Sequence, residues 1–243
     1  MRIDIYLYEK GFCTSRNKAK TLIEENRVTI NGIPCEKCSY DVLERDMVEV
    51  LPSESTEFVG RGGYKLEYAL EDFGIDVKNK ICADIGASTG GFTQCLLMKG
   101  AKKVFAVDSG KDQLSLIIKN DCRVVNIEGF NARNLTLEQT DNTFCDIVVM
   151  DVSFISQTLL YPAVLRVAKK GADVVTLIKP QFEVGRQNIG KHGVVKSRSA
   201  KLAAVENIIQ FAKNSGFEYI SHTTSPIKGG DGNEEFLLYL KVK

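Results

Sequence analysis

"ADIGASTGGFTQCL", residues 83–96, decides the fold. A short apolar strand runs into Gly86, a turn of glycines and small polar residues follows, and a helix starts near Gly91. Strand, glycine-rich turn and helix in that order open a βαβ unit. Ligands of sheets built from such units lie outside the carboxyl ends of the strands, so this turn is the first candidate site. Glycines allow close approach of backbone, and helix amides point into the same space. A dinucleotide fingerprint G-x-G-x-x-G would need glycine where Ser88 stands, and no G-K-[ST] follows for a nucleoside triphosphate.

Downstream, the same alternation continues. Strands are predicted at 81–85, 103–108, 123–127, 146–151 and 174–178, with helical segments between them, such as 156–168 and 199–216. This predicts a parallel, doubly wound α/β sheet. "FEYISHTT" and "EEFLLYLKV" close the chain as strands with no helix between them, an antiparallel pair at one edge. Upstream, residues 1–52 form a separate α+β block. "TSRNKAKTLIEEN" has Thr14 or Ser15 as cap and Ala19, Leu22 and Ile23 at helical spacing. "RVTINGIPCEK" reads as a hairpin with an Asn-Gly turn, and "DMVEVLP" as a closing strand. Residues 53–60 are a polar linker, and the α/β domain is expected over 61–243.

Composition sets outer bounds. The 243 residues are 44% hydrophobic and 26% charged, as in a soluble globular protein. With 32 Lys and Arg against 31 Asp and Glu, the net charge is +1, so any basic surface must be local. "MRIDIYLYEKGF" is broken by charges and is not read as a signal peptide, and no apolar run reaches the ~18–20 residues of a membrane span. Neither membrane insertion nor a membrane partner is expected. Seven scattered cysteines suggest reduced thiols in a cytoplasmic protein. Cys35 and Cys38 form a lone C-x-x-C without a second ligand pair, and His192 stands alone, so no metal is expected.

Several polar residues fall where such a sheet binds ligands. Asp108 ends the second strand of the α/β domain, where a carboxylate can take two ribose hydroxyls or cap the next turn. Glu128 and Asn131 follow the third strand. Asp151 and Lys179 end adjacent predicted strands and can face one crevice; Lys65 starts the helix before the first strand, and Glu235 begins the last. Glu234 is its neighbour, and strand alternation turns only one of the two inward. "KPQFEVGRQNIGKHGVVKSR" sets Lys179, Arg186, Lys191, Lys196 and Arg198 against Glu183 alone, a segment suited to phosphates, with Phe182 placed to stack on a base.

These patterns carry resemblances. D-x-G-x-x-x-G-G-F, with Asp84, Gly86, Ser88, Gly90, Gly91 and Phe92, resembles the S-adenosylmethionine loop of methyltransferases. Arg2, Asp4, Leu7, Gly11, Ser15-Arg16, Ala19, Leu22-Ile23, Val28, Ile30 and Asn31-Gly32 resemble the small RNA-binding domain first described in small-subunit ribosomal protein four. The block departs in having Glu24-Glu25-Asn26 at a turn often made by glycine, and it holds 8 basic against 9 acidic side chains. Its RNA surface is therefore expected on the Arg16, Lys18, Lys20 face. Lys65, Asp151, Lys179 and Glu235, in that order, resemble the catalytic tetrad of FtsJ-type ribose 2′-O-methyltransferases. "RGGYKL", "DVSFIS", "LIKPQFEVG" and "GNEEFLL" are similar to the TlyA group, often labelled hemolysin A. The resemblance implies a Rossmann-like S-adenosylmethionine-dependent methyltransferase sheet behind a small RNA-binding domain. It also implies S-adenosylmethionine as cofactor, ribosomal RNA or ribosomal subunits as partner, and a cytidine 2′-hydroxyl as acceptor.

The implied chemistry suits the residue types. A ribose hydroxyl is a poor nucleophile facing an activated donor, so the enzyme aligns oxygen, carbon and sulfur and removes one proton. Lys179 is expected as the base or as the residue that steers the hydroxyl, with Asp151 orienting its amine, Lys65 beside it and Glu235 holding Lys65. Base methylation is not supported: Asp151-Val152-Ser153-Phe154 lacks the prolines of an amino-methylating motif, and the only Pro-Cys lies in the first block. The competing readings are a non-catalytic RNA-binding or ribosome-assembly factor, a pore-forming hemolysin and a small-molecule methyltransferase.

Overall fold

The computed structural model describes residues 1–13, 16–24, 27–43, 45–50, 58–190 and 193–243. The expected cap at Thr14 or Ser15, the Glu25-Asn26 turn, most of the expected linker, and Lys191 with His192 lie outside the described residues. The chain divides into two compact units, Met1–Glu57 and Phe58–Lys243.

In the first unit, α1 (Ile3–Glu9) and α2 (Arg16–Glu24) precede β1 (Val28–Ile30), β2 (Ile33–Pro34) and β3 (Val48–Val50). The strands form an antiparallel sheet in the order β2-β1-β3. Helical spacing puts Ile3 and Leu7 of α1 and Ala19, Leu22 and Ile23 of α2 on faces that meet over Val28 and Ile30. Burying each of the larger aliphatic side chains stabilises the unit by about 1.5–3 kcal/mol. Asn31 and Gly32 both have positive φ, 53° and 78°, the backbone that a two-residue hairpin requires. Cys35 and Cys38 are free thiols, Cys35 buried beneath this hairpin.

The second unit starts earlier than the expected linker end. Phe58 is buried against the start of α3 (Gly62–Asp72), where a side-chain carbon at Gly63 would stand 2.1 Å from its ring. Then come β4 (Ile81–Ile85), α4 (Gly91–Met98), β5 (Lys103–Val107), α5 (Leu116–Lys119), β6 (Val124–Ile127) and β7 (Cys145–Met150). The rest is α6 (Tyr161–Val167), β8 (Ala168–Ile178), α7 (Pro180–Glu183), α8 (Arg198–Asn214), β9 (Phe217–Thr224) and β10 (Phe236–Val242). The sheet runs β6-β5-β4-β7-β8-β10-β9. All pairings from β6 to β8 are parallel, and β10 lies antiparallel to both β8 and β9. Strand order reverses direction between β4 and β7, which opens a crevice at their carboxyl ends.

Two boundaries differ from expectation. β8 begins at Ala168 rather than 174, because Pro162 fixes a helix start at α6 and that helix ends at Val167. β10 begins at Phe236, so Glu235 immediately precedes the last strand instead of opening it. Its position is still fixed, because Ser225 N donates to the Glu235 carbonyl at 2.9 Å.

Candidate active site

The two walls of the crevice are held apart by no more than backbone thickness. At Gly86, φ is 86° and a side-chain carbon would stand 2.3 Å from the Asp151 carbonyl oxygen. At Gly91 it would stand 2.9 Å from both Gly60 O and Gly63 N. Glycine at these two positions lets the turn after β4 sit against the end of β7 and against the start of α3. The crevice then has two lobes that share Gly86, Ser88 and Asp151.

The first lobe is a cavity of about 290 Å³. Asp108, Asn131 and Ser109 line it with Ile85, Val107, Ala132 and Leu160. Ser88 N donates to Asp108 Oδ2 and Gly110 N to Oδ1, both at 2.7 Å. Asp108 therefore caps its turn and ties down the glycine loop, while each oxygen keeps a lone pair for a further donor. Asn131 Oδ1 accepts from Arg133 N at 3.1 Å and starts the next turn from the cavity wall.

The second lobe, about 260 Å³, is lined by Lys65, Asp151, Lys179 and Glu235 together, with Gly86, Ser88, Gly91 and Phe92. Lys65 lies in the first turn of α3, and its Nζ donates to Glu235 Oε2 at 2.5 Å. Lys65 is 7% exposed and Glu235 2%, so the pair is inside the protein. Glu234 points the other way and pairs with Lys201 at 3.1 Å. Asp151 and Lys179 each stand one residue past their strand ends, and Lys179 Nζ lies 2.6 Å from Asp151 Oδ1. Four charges thus form two neutral pairs around one space.

Three expected positions play different parts. Asp84 is fully buried, faces neither lobe, and accepts from Thr93 Oγ1 at 2.7 Å with Oδ2, while Oδ1 has no partner among the described residues. Burial pushes its carboxyl up to about 7, against the lowering effect of Thr93. It braces the glycine turn from below. Glu128 also stays out of the lobes. Asn126 Nδ2 donates to its Oε2 at 2.8 Å, and the Leu114 and Gln113 backbone N–H groups donate to Oε1 at 2.9 and 2.6 Å. Led by the Asn126 bond, these hold its carboxyl down at about 2. Gly90 has φ 96° and packs against Leu114 and Ile118.

On the first unit, Lys18 and Lys20 are exposed along α2, whereas Arg16 Nη2 is bound to the buried carboxylate of Asp4 at 2.7 Å, which Arg2 also contacts. The Arg16 hydrogen bond leads in holding Asp4 below the usual carboxylate range. After β8, Lys196 is exposed; the Arg186 side chain and Lys191 lie outside the described structure.

Sequence reading missed four contributors. Ser153 Oγ accepts from Lys179 Nζ at 2.8 Å. Phe154 is 91% exposed at a φ of 65°, with its ring centroid 5.2 Å from that of Phe182. Glu183 ties the two strand-end loops together, accepting from Ser156 Oγ at 2.6 Å and Gln157 N at 3.0 Å. Asn233 is buried and bonds Val195 N and Gly193 O, joining the basic segment to the loop that presents Glu235. "DVSFIS" held the first two in plain view, but no spacing rule assigns a role to a Ser or Phe past a strand end.

Residues 58–242 match the FtsJ-like methyltransferases, and residues 1–48 the S4 domain. Hemolysin A of Brachyspira hyodysenteriae is 42% identical over 242 residues, covering 100% of both chains. The 16S/23S rRNA (cytidine-2′-O)-methyltransferase TlyA of Mycobacterium tuberculosis is 40% identical over 242 residues, which is 100% of this chain and 90% of that protein. A solved structure from Streptococcus thermophilus superposes with a TM-score of 0.81 at 38% identity, over 100% of this chain and 88% of the other.

Proposed function

The chain belongs to the FtsJ-like methyltransferase family and carries an S4 domain ahead of that unit, and from that premise we propose that it methylates the ribose 2′-hydroxyl of a cytidine in ribosomal RNA. The observation that carries this reading is the convergence of Lys65–Glu235 and Lys179–Asp151 on one cavity beside the glycine turn.

S-adenosylmethionine fits the donor set. The spare lone pairs of Asp108 suit a ribose diol, Asn131 offers a polar edge, and Ile85, Val107, Ala132 and Leu160 suit the faces of a base. Gly86 and Ser88 line both lobes and so reach the part of the molecule that joins them. When bound, this cofactor supplies a methyl group on a sulfonium and leaves as the neutral thioether.

The remaining work falls to the chain. Lys179 Nζ donates to Ser153 Oγ and is held 2.6 Å from Asp151 Oδ1 as an ion pair, which leaves a position on the amine for the acceptor hydroxyl. As an N–H, that position steers the hydroxyl oxygen into line; once the amine has given up a proton, its lone pair there takes the hydroxyl proton as the oxygen bonds to carbon. Glu235 holds Lys65 beside this centre, where its charge favours the developing alkoxide. Phe154 and Phe182 offer an aromatic face for the flipped base, and the α2 face with Lys18 and Lys20 takes the RNA backbone.

The test is to incubate ribosomal subunits with labelled donor, with and without the protein, and to map 2′-O-methyl positions in the RNA. A new 2′-O-methylcytidine is expected. Subunit binding without transfer would leave an assembly factor, and leakage of lipid vesicles exposed to the protein alone would favour a pore former. Among the described residues no helix is long and apolar enough to cross a membrane.

A further inference from the structure

Around the second lobe the tetrad charges cancel in pairs, but one cation is left over. Arg61 immediately precedes α3, is exposed, and lines the same cavity as Lys65, Asp151, Lys179 and Glu235. Among the described residues no carboxylate pairs with it, and it lies beside Gly230, where a side-chain carbon would stand 3.4 Å from Arg61 Nη2. The lobe therefore carries a net positive charge at its rim, on the one side chain whose planar fork matches two oxygens of an oxyanion.

We infer that Arg61 is the subsite for the phosphodiester on the 3′ side of the acceptor ribose. The inference rests on the ribose-methylation reading and adds to it. In RNA the 2′-oxygen and the 3′-phosphate hang from adjacent ribose carbons. A sugar that presents its 2′-oxygen to Lys179 must carry its own phosphate to the edge of the same cavity. The paired lysines are already satisfied by Asp151 and Glu235, so Arg61 is the group left to meet that charge. It fixes the ribose by its phosphate while Lys179 addresses the hydroxyl, and it reads no base. The other oxyanion within reach is the carboxylate of the cofactor, which shares the chemistry but makes different predictions.

The experiment compares wild type, Arg61→Ala and Arg61→Lys in three readouts: cofactor affinity without RNA, transfer kinetics on ribosomal subunits, and the salt dependence of RNA binding. Transfer by the wild type to a ribose 2′-oxygen is read first; its absence would remove the function, not the subsite alone. Given transfer, Arg61→Ala should raise the KM for RNA about ten- to a hundredfold, the loss of one charge-assisted contact. It should lower the slope of log K against log salt by roughly 0.7–0.9 and leave cofactor affinity unchanged. Arg61→Lys should keep the slope and recover only part of the affinity, since a point charge replaces a fork. Weaker cofactor binding with an unchanged RNA salt slope would assign Arg61 to the cofactor carboxylate and overturn the proposal. So would three variants that behave alike.

Discussion

Lys65 Nζ and Glu235 Oε2 stand 2.5 Å apart across 170 positions of sequence, and both side chains are buried. The contact joins the first turn of α3 to the entrance of β10, so it fixes the fold and the site at once. Removing one partner of a buried pair strands the other charge, at a cost of about 3–5 kcal/mol. Glu235→Ala should therefore lose both stability and methyl transfer, measured by urea unfolding and by labelled-donor assay. A variant as stable as wild type would show that the pair is not closed in solution.

Glu235 is also hemmed in from behind. A side-chain carbon at Gly229 would stand 2.4 Å from Glu235 Oε1, so Gly229→Ala must displace the carboxylate from its present place beside Lys65 or shift the loop behind it. Transfer should fall about ten- to a hundredfold, since misplacement of reacting groups by about 1 Å can cost about 10²-fold. At neighbouring Gly230 the nearest group is Arg61 Nη2 at 3.4 Å, so Gly230→Ala should leave Glu235 in place. Equal activity in the two variants would argue against the steric account.

Asp84 makes stability depend on pH. Below its ordinary value of 3.8 the carboxyl is protonated whether folded or unfolded and contributes no slope. Between 3.8 and about 7 the unfolded chain ionises while the buried carboxyl keeps its proton, so stability declines as pH rises and levels off above that window. Asp84→Asn cannot ionise and should remove this part of the slope. Urea midpoints of the two proteins at about pH 5 and about pH 8 check it. A constant difference between them would contradict the assignment.

Phe154 gives a binding prediction without a folding one. Its ring is solvent-exposed, so Phe154→Ala should change stability by less than about 0.5 kcal/mol. Base–aromatic stacking is worth about 1–3 kcal/mol, so the KM for RNA should rise at least several-fold. An unchanged KM would remove Phe154 from the RNA face.

Much of this architecture was legible in the sequence, for identifiable reasons. β4 and β9 lie at the expected residues because a run apolar but for Asp84 and an alternating run each leave little freedom of register. The four residues of the expected tetrad were legible as order along the chain; the parallel sheet brings Asp151 and Lys179 to adjacent strand ends, and Lys65 and Glu235 reach the same cavity from α3 and from the entrance of β10. Glu128 was not legible in the same way. A carboxylate after a strand serves a ligand or a backbone turn equally well, and here Gln113 and Leu114 take it. Arg16 and Asp4 show the same limit: 12 positions separate them, and nothing in their spacing announces an ion pair. Ser153 and Arg61 carry no such signal in the sequence: the first is marked by the bond it accepts from Lys179 and the second by its place in the wall of the second lobe.

The central claim is that Lys179, set by Asp151 and Ser153, manages the proton of the acceptor hydroxyl. It is tested most directly by the transfer rate of Lys179→Ala at saturating RNA and saturating S-adenosylmethionine. Lys179 is only partly buried, so the variant should fold and bind RNA as the wild type does. Its rate should fall by about 10²–10⁴, the range of a lost acid–base group. Transfer at the wild-type rate would contradict the account.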